Sequence, residues 1–291
     1  VAEISAAAVK DLRERTGAGM MDCKKALTDA SGNVDRAVTL LRERGLAKAA
    51  KREGRATAEG VVAMALGKGA GALVELGCET DFVARTDAFQ ALARELVAGA
   101  AGDAALASAE ALAEGTIGSG PVSQRVQAAA GQLGENIVIK RVARLESPGG
   151  VVGGYVHAGG KLGVLVALRT QARGEPVDAL VKDLAMHVAA ADPTPVAVDR
   201  DGVPAELVAR EREVFAKQAA QTGKPEKVIE KIVEGRINKF YAEVTLLEQP
   251  FVKDPERSVA DVIAEAGRTA GADVAVTGFV RFKLGADSSS T

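Results

Sequence analysis

The chain has no tryptophan, two tyrosines and seven phenylalanines in 291 residues. Its core must therefore be built from aliphatic side chains, and any ring carried by a polar loop stands out. Cysteine is equally sparse. Cys23 and Cys78 lie far apart in different contexts, which argues against a disulfide framework and fits reduced thiols used for packing. Histidine occurs only as His157 and His187, with no Cys-x-x-Cys or His-x-x-x-His pair, so no metal ligands are assigned. Nothing near Cys78 in the sequence supplies a base or a triad, and no catalytic residue is assigned either.

Charge of one sign is also missing. Against 37 Lys and Arg stand 39 Asp and Glu, a formal charge of −2, which provides no general basic field for DNA. The local cluster Lys48, Lys51, Arg52 and Arg55 reads as a solvated helix face and linker. No apolar run approaches the roughly 20 residues that cross a bilayer. The start, Val1-Ala2-Glu3-Ile4, has neither a basic nor an apolar targeting region, so a cytoplasmic protein without membrane contact is expected. Phosphate-binding loops are incomplete. Gly17-Ala18-Gly19 runs into Met20, Met21 and Asp22 without a third glycine, and Gly159-Gly160-Lys161 lacks the upstream glycine and has Leu162 where Ser or Thr belongs. No cofactor and no direct nucleotide binding are expected.

What the chain does contain is 47% hydrophobic residues, enough for two or three domains. Ala72, Leu73, Val74, Glu75 and Leu76 form an apolar run of strand length that Gly77 is expected to end. A polar loop follows. Helix resumes near Asp87, which with Gln90 has the form of a capping box, ahead of Phe89, Leu92, Leu96 and Val97 at helical spacing. Phe82 is left between elements in Thr80-Asp81-Phe82-Val83. Two roles fit it: a plug folded back into its own core, or a ring held out by rigid neighbours for a partner.

The whole pattern is α+β. Ser5 as cap, Val9 and Leu12 on one face, the break Thr16-Gly17-Ala18-Gly19, a helix over 20–30, the turn Ser31-Gly32-Asn33 and a helix with Val34, Val38 and Leu41 predict a three-helix N-terminal bundle over 1–54. Met20 and Met21 suit core filling or contact equally. An internal repeat follows. Gly60-Val61-Val62 and Gly150-Val151-Val152 each open a unit, a glycine-rich turn comes next, then a strand (73–76; 165–168) and a helix containing Leu92-Ala93-Arg94-Glu95-Leu96 or Leu180-Val181-Lys182-Asp183-Leu184. Hairpins followed by helices predict a duplicated core of antiparallel sheets covered by helices, divided as 55–140 and as 141–204 with 245–285. Between the copies, 104–114 and 123–133 read as helices, Gly134-Glu135-Asn136 as a stop, and 137–141 as a strand. An inserted helical hairpin, or coiled coil, is expected over 205–244; its apolar stripe fits packing on its sister helix, with a partner or a dimer as the other use. The chain returns to the sheet over 274–284, and 286–291 reads as a disordered tail.

Several long segments resemble one known family, bacterial translation elongation factor Ts, the guanine-nucleotide exchange factor of elongation factor Tu. They are the run from Leu12 through Met20-Met21-Asp22-Cys23-Lys24-Lys25 to Leu27, Thr80-Asp81-Phe82-Val83-Ala84-Arg85, Gly134-Glu135-Asn136-Ile137, Tyr155-Val156-His157, Gln249-Pro250-Phe251-Val252 and Thr277-Gly278-Phe279-Val280-Arg281-Phe282. The resemblance implies that the bundle is ubiquitin-associated-like (UBA-like) and touches the partner's G domain through Leu12, Met20, Met21 and Lys24. It implies that Thr80, Asp81, Phe82 and Val83 dislodge the partner's Mg²⁺, with Phe82 as a wedge, and that His157 in the second repeat reaches another domain. The implied partner is elongation factor Tu, GDP-bound and nucleotide-free, and no covalent chemistry is implied. The family's C-terminal helix is not expected after Arg281-Phe282-Lys283-Leu284-Gly285. A protein-binding scaffold or chaperone-like module is the alternative that the hairpin and bundle would serve.

Overall fold

The computed structural model describes residues 4–286; the expected tail beyond Ala286 and the Lys48 side chain of the basic cluster lie outside the described residues. Helices α1 (Ala6–Thr16), α2 (Met20–Asp29) and α3 (Val34–Ala50) form the N-terminal bundle. Ser5 caps α1 by accepting the Ala8 N–H, and Gly17, at a φ of 66°, closes it. Leu12, Cys23, Ala26 and Leu27 are fully buried between the three helices.

Strands β1 (Glu59–Leu66) and β2 (Ala70–Cys78) lead through α4 (Asp81–Ala84) to α5 (Asp87–Gly102). Then come α6 (Ala109–Glu114), the small strands β3 (Thr116–Ile117) and β4 (Gly120–Pro121), α7 (Val122–Leu133) and β5 (Val138–Glu146). The second copy is β6 (Val151–Val156), β7 (Leu162–Arg169) and α8 (Glu175–Ala190). The hairpin α9 (Ala205–Ala220) and α10 (Glu226–Val244), the ribbon β8 (Pro250–Phe251) and β9 (Asp254–Ser258), α11 (Val259–Ala270) and β10 (Ala275–Lys283) complete the chain.

The repeat is real in three dimensions. One antiparallel sheet has the order β1-β2-β5 and the other β10-β7-β6, so each copy is a hairpin, a covering helix and a later strand that returns to pair with the hairpin's second strand. The outer faces of the central strands pack under helices. Ala72, Val74 and Leu76 meet Phe89 and Leu96 of α5, and Val164, Val166 and Leu168 meet Leu180 and Leu184 of α8. Their inner faces meet each other through Val62, Leu73, Val152, Leu165 and Phe282. Covered on both faces, β2 is buried along its whole length, which is why its sequence reads as a continuous apolar run instead of an alternation.

One carboxylate interrupts that run. Glu75 is 1% exposed, but its Oε2 accepts from Arg141 Nε at 2.8 Å and Nη2 at 2.5 Å, and Arg141 Nη2 also donates to the Lys283 carbonyl at 2.8 Å. The guanidinium lies 4.4 Å over the Phe282 ring, so the pair ties β2 and β5 to the end of β10.

Four boundaries depart from sequence expectation. β2 runs past Gly77 to Cys78, because pairing with β1 and β5 outweighs the weak strand preference of one glycine. α5 is capped by Thr86 and not Asp87: Thr86 Oγ1 accepts the Phe89 N–H, while Gln90 donates to the Ala84 carbonyl at 2.7 Å and closes no capping box. The stretch 104–114 is a 3₁₀ turn (Ala104–Leu106) and a separate α6 capped by Ser108. The division at 140 falls inside β5, whose pairing with β2 extends to Glu146. In the hairpin, Ala219, Val233 and Ile237 are buried between α9 and α10, so the centre of its apolar stripe packs on the sister helix, while Val214 and Val228 stay exposed.

Candidate partner-binding site

β2 delivers the chain to a very short helix. Thr80 caps α4 with its hydroxyl accepting the Val83 N–H at 3.4 Å, and the four residues of α4 are too few to hold a helix by themselves. Support comes from across the chain. Glu135 Oε2 accepts the Glu79 and Thr80 N–H groups, both at 3.0 Å, and its Oε1 accepts the Thr80 hydroxyl at 2.5 Å. Glu79 answers in kind, with Oε1 accepting the Asn136 N–H at 2.7 Å and Oε2 facing Arg55 Nη1 at 3.5 Å. The Asn136 side chain donates to the Arg55 carbonyl at 2.8 Å, and the Cys78 thiol donates to the Thr80 carbonyl at 3.1 Å.

On this base Phe82 stands 82% exposed. The ring that fills the core beside it is Phe89, 0% exposed, so Phe82 is not a plug. Asp81 is partly exposed and pairs with Arg85 at 2.8 Å. Val83, expected among the presented residues, instead turns into the core with Ala84, as a one-turn helix pinned to α5 must do with one of its faces. Thr80 is half-buried and spent on the cap and on Glu135.

Asp81 and His157 come together although they belong to different repeats. A groove of about 760 Å³ between the β1 edge, the α4–α5 corner and the 157–161 loop is lined by Asp81, Arg85, Arg94, His157 and Lys161. His157 is exposed, its Nδ1 2.9 Å from the Tyr155 hydroxyl. In the bundle, Met20 and Met21 are 59% and 77% exposed and Lys24 is exposed on the same helix. Leu12 does not join them. At 0% exposure it is core, because its face of α1 is the one packed against α2 and α3, and its expected role as a contact is withdrawn.

The chemistry of the remaining candidates is plain. Burial first, and then the charge of Glu135, push the Cys78 thiol up to about 11, so it stays a neutral donor at physiological pH. His187 is buried against Phe251 and Gln249, away from the groove. Among the described residues no group of three or more His, Cys, Asp and Glu is placed to hold a metal ion, and no helix is long and apolar enough to cross a membrane. Sequence reasoning missed Glu135, Glu79 and Asn136. Gly134-Glu135-Asn136 read as a helix stop and as one of the segments that carry the family resemblance, with no role attached; it is a stop, with Gly134 at a φ of 80°, and the carboxylate placed just beyond it grips the loop.

Comparison with known proteins gives the chain's family. A family model described as elongation factor TS matches residues 79–286, beginning at the first residue of the grip. Among curated relatives, an elongation factor Ts of Rhodospirillum centenum is 47% identical over 290 residues, covering 98% of this chain and 94% of the relative. One from Rhodospirillum rubrum is 47% identical over 293 residues with the same coverage, and one from Prosthecochloris aestuarii is 45% identical over 291 residues, covering 98% of this chain and 100% of the relative. With a family match over most of its length and relatives this similar from end to end, the chain belongs to the elongation factor Ts family.

Proposed function

We propose that this translation elongation factor acts in the cytoplasm as the guanine-nucleotide exchange factor of elongation factor Tu, binding the GDP-bound and nucleotide-free partner. The observation that carries the reading is Phe82, 82% exposed on a short helix whose base is fixed by hydrogen bonds. An apolar ring kept in water forgoes roughly 1.5–3 kcal/mol of burial. A partner that buries it recovers that energy, which offsets part of the distortion needed to loosen Mg²⁺ and with it GDP. Asp81 and His157 on one groove provide polar contacts from both repeats, and Met20, Met21 and Lys24 supply a separate contact on the bundle.

No bond is made or broken, so no nucleophile is needed, in keeping with a neutral Cys78. Coupling is reciprocal: the factor by which this protein weakens GDP on its partner is the factor by which GDP weakens this protein's binding. Reloading with nucleotide therefore releases it. The scaffold reading has less to stand on in the hairpin, whose stripe packs at its centre between α9 and α10. The deciding experiment is stopped-flow release of a fluorescent GDP analogue from elongation factor Tu at fixed Mg²⁺. Acceleration that rises with the concentration of this protein is expected; no acceleration across a wide range would return the chain to the scaffold class.

A further inference from the structure

We propose that Glu135 is the positioning residue of the Phe82 wedge, a role that rests on the exchange reading above and adds a residue outside the loop to it. The 79–80 and 135–136 segments grip each other crosswise: Glu135 takes the Glu79 and Thr80 N–H groups and the Thr80 hydroxyl, and Glu79 takes the Asn136 N–H. All four hydrogen bonds go to carboxylates, the stronger kind. Their place on the chain matters. Thr80 is the cap of α4, so fixing its backbone and hydroxyl fixes the first turn, and Phe82 is the second residue of that turn.

Without Glu135 two loop N–H groups lose their acceptors, and a helix of four residues is left with the long Thr80 cap, the exposed Asp81–Arg85 pair and the packing of Val83 and Ala84, too little to hold its first turn rigid. The exposed ring would then be free to fold onto nearby apolar surface, as the hydrophobic effect favours. Glu135 thus keeps an unfavourable exposure in place without touching the partner. It is itself anchored by the left-handed end of α7 at Gly134.

The test uses Glu135→Ala and Glu135→Gln in the full chain, with two readouts. One is amide hydrogen exchange over 79–86; the other is GDP release from elongation factor Tu across a concentration series, separating the maximal rate from the half-saturating concentration. Glu135→Ala is expected to speed loop exchange and to lower the maximal rate, each about tenfold, while the half-saturating concentration moves less than about threefold. Glu135→Gln keeps one acceptor oxygen and is expected to fall between parent and Ala in both readouts. Parental loop exchange or a parental maximal rate in Glu135→Ala overturns the assignment. Should that variant fail to fold, parental loop exchange in Glu135→Gln overturns it equally. If the parent itself does not accelerate GDP release, the exchange reading falls, and loop exchange alone decides whether Glu135 positions Phe82.

Discussion

Phe82 and Asp81 are adjacent on α4 but differ in what a partner can gain from them. The ring is 82% exposed and unsatisfied in water, whereas the carboxylate has Arg85 at 2.8 Å. Phe82→Ala is therefore expected to leave the melting temperature unchanged and to slow stopped-flow GDP release by about tenfold or more, the loss typical of a buried aromatic anchor. Asp81→Ala is expected to slow release less, because an exposed, paired charge contributes little by itself. An equal or larger defect for Asp81→Ala would mean that its charge acts directly on the partner's ion site. At this scale the sequence was half legible. It isolated Phe82 from neighbouring elements, and residue by residue a plug fitted as well as a presented ring; the wedge came from the family resemblance, while Phe89 in the core and Glu135 under Thr80 are visible only in the fold.

Between elements, α8 is joined to the β8–β9 ribbon by a histidine whose tautomer is set by its neighbours. The Val252 N–H donates to His187 Nδ1 at 3.2 Å, so the ring proton sits on Nε2 and is donated to Gln249 Oε1 at 2.9 Å. Protonating Nδ1 would oppose a donor with a donor. Burial lowers the His187 pKa from its ordinary value of 6.5, with the Gln249 hydrogen bond partly opposing the shift. A histidine depressed in the fold contributes stability above the unfolded value and loses it as pH falls through 6.5 and below. The urea midpoint is expected to drop between about pH 7 and pH 5, and His187→Gln is expected to flatten that slope while lowering the midpoint at pH 7. A parental slope in the variant would assign the acid sensitivity elsewhere. Neither His187 nor its ribbon was distinguishable by spacing, since Gln249 lies 62 residues from it.

Across the whole molecule, the bundle is seated on the core and does not hang from its linker. α3 continues past the bundle to cross α7, where Gly45 and Gly131 bring the two backbones together; a Cβ at Gly131 would lie 2.8 Å from the Gly45 backbone. Gly131→Ala must push the helices apart, at a cost of about 1–3 kcal/mol. The expected outcome is faster proteolysis between 45 and 58 and a melting temperature lower by several degrees, with the sheet core still folded. Unchanged proteolysis would show that the crossing can shift at no cost. Because Glu135 follows directly on Gly134, the cap of α7, the helix that seats the bundle also places the residue that grips the Phe82 loop.

Local chemistry alone determined most of the elements: Ser5 and Gly17 end α1, the repeated glycine-bounded apolar runs become β2 and β7, and the hairpin period becomes α9 and α10. Caps, turns and hydrophobic periods act over a few residues, so they can be read along the chain. The tertiary structure decided which faces meet: that β2 is buried on both sides, that Leu12 faces inward while Met20 and Met21 face out, and that Val83 turns in while Phe82 stays out. Burial is a property of pairs far apart in sequence. The hold on Thr80 comes from a carboxylate 55 residues away, and only folding brings the two within hydrogen-bonding distance.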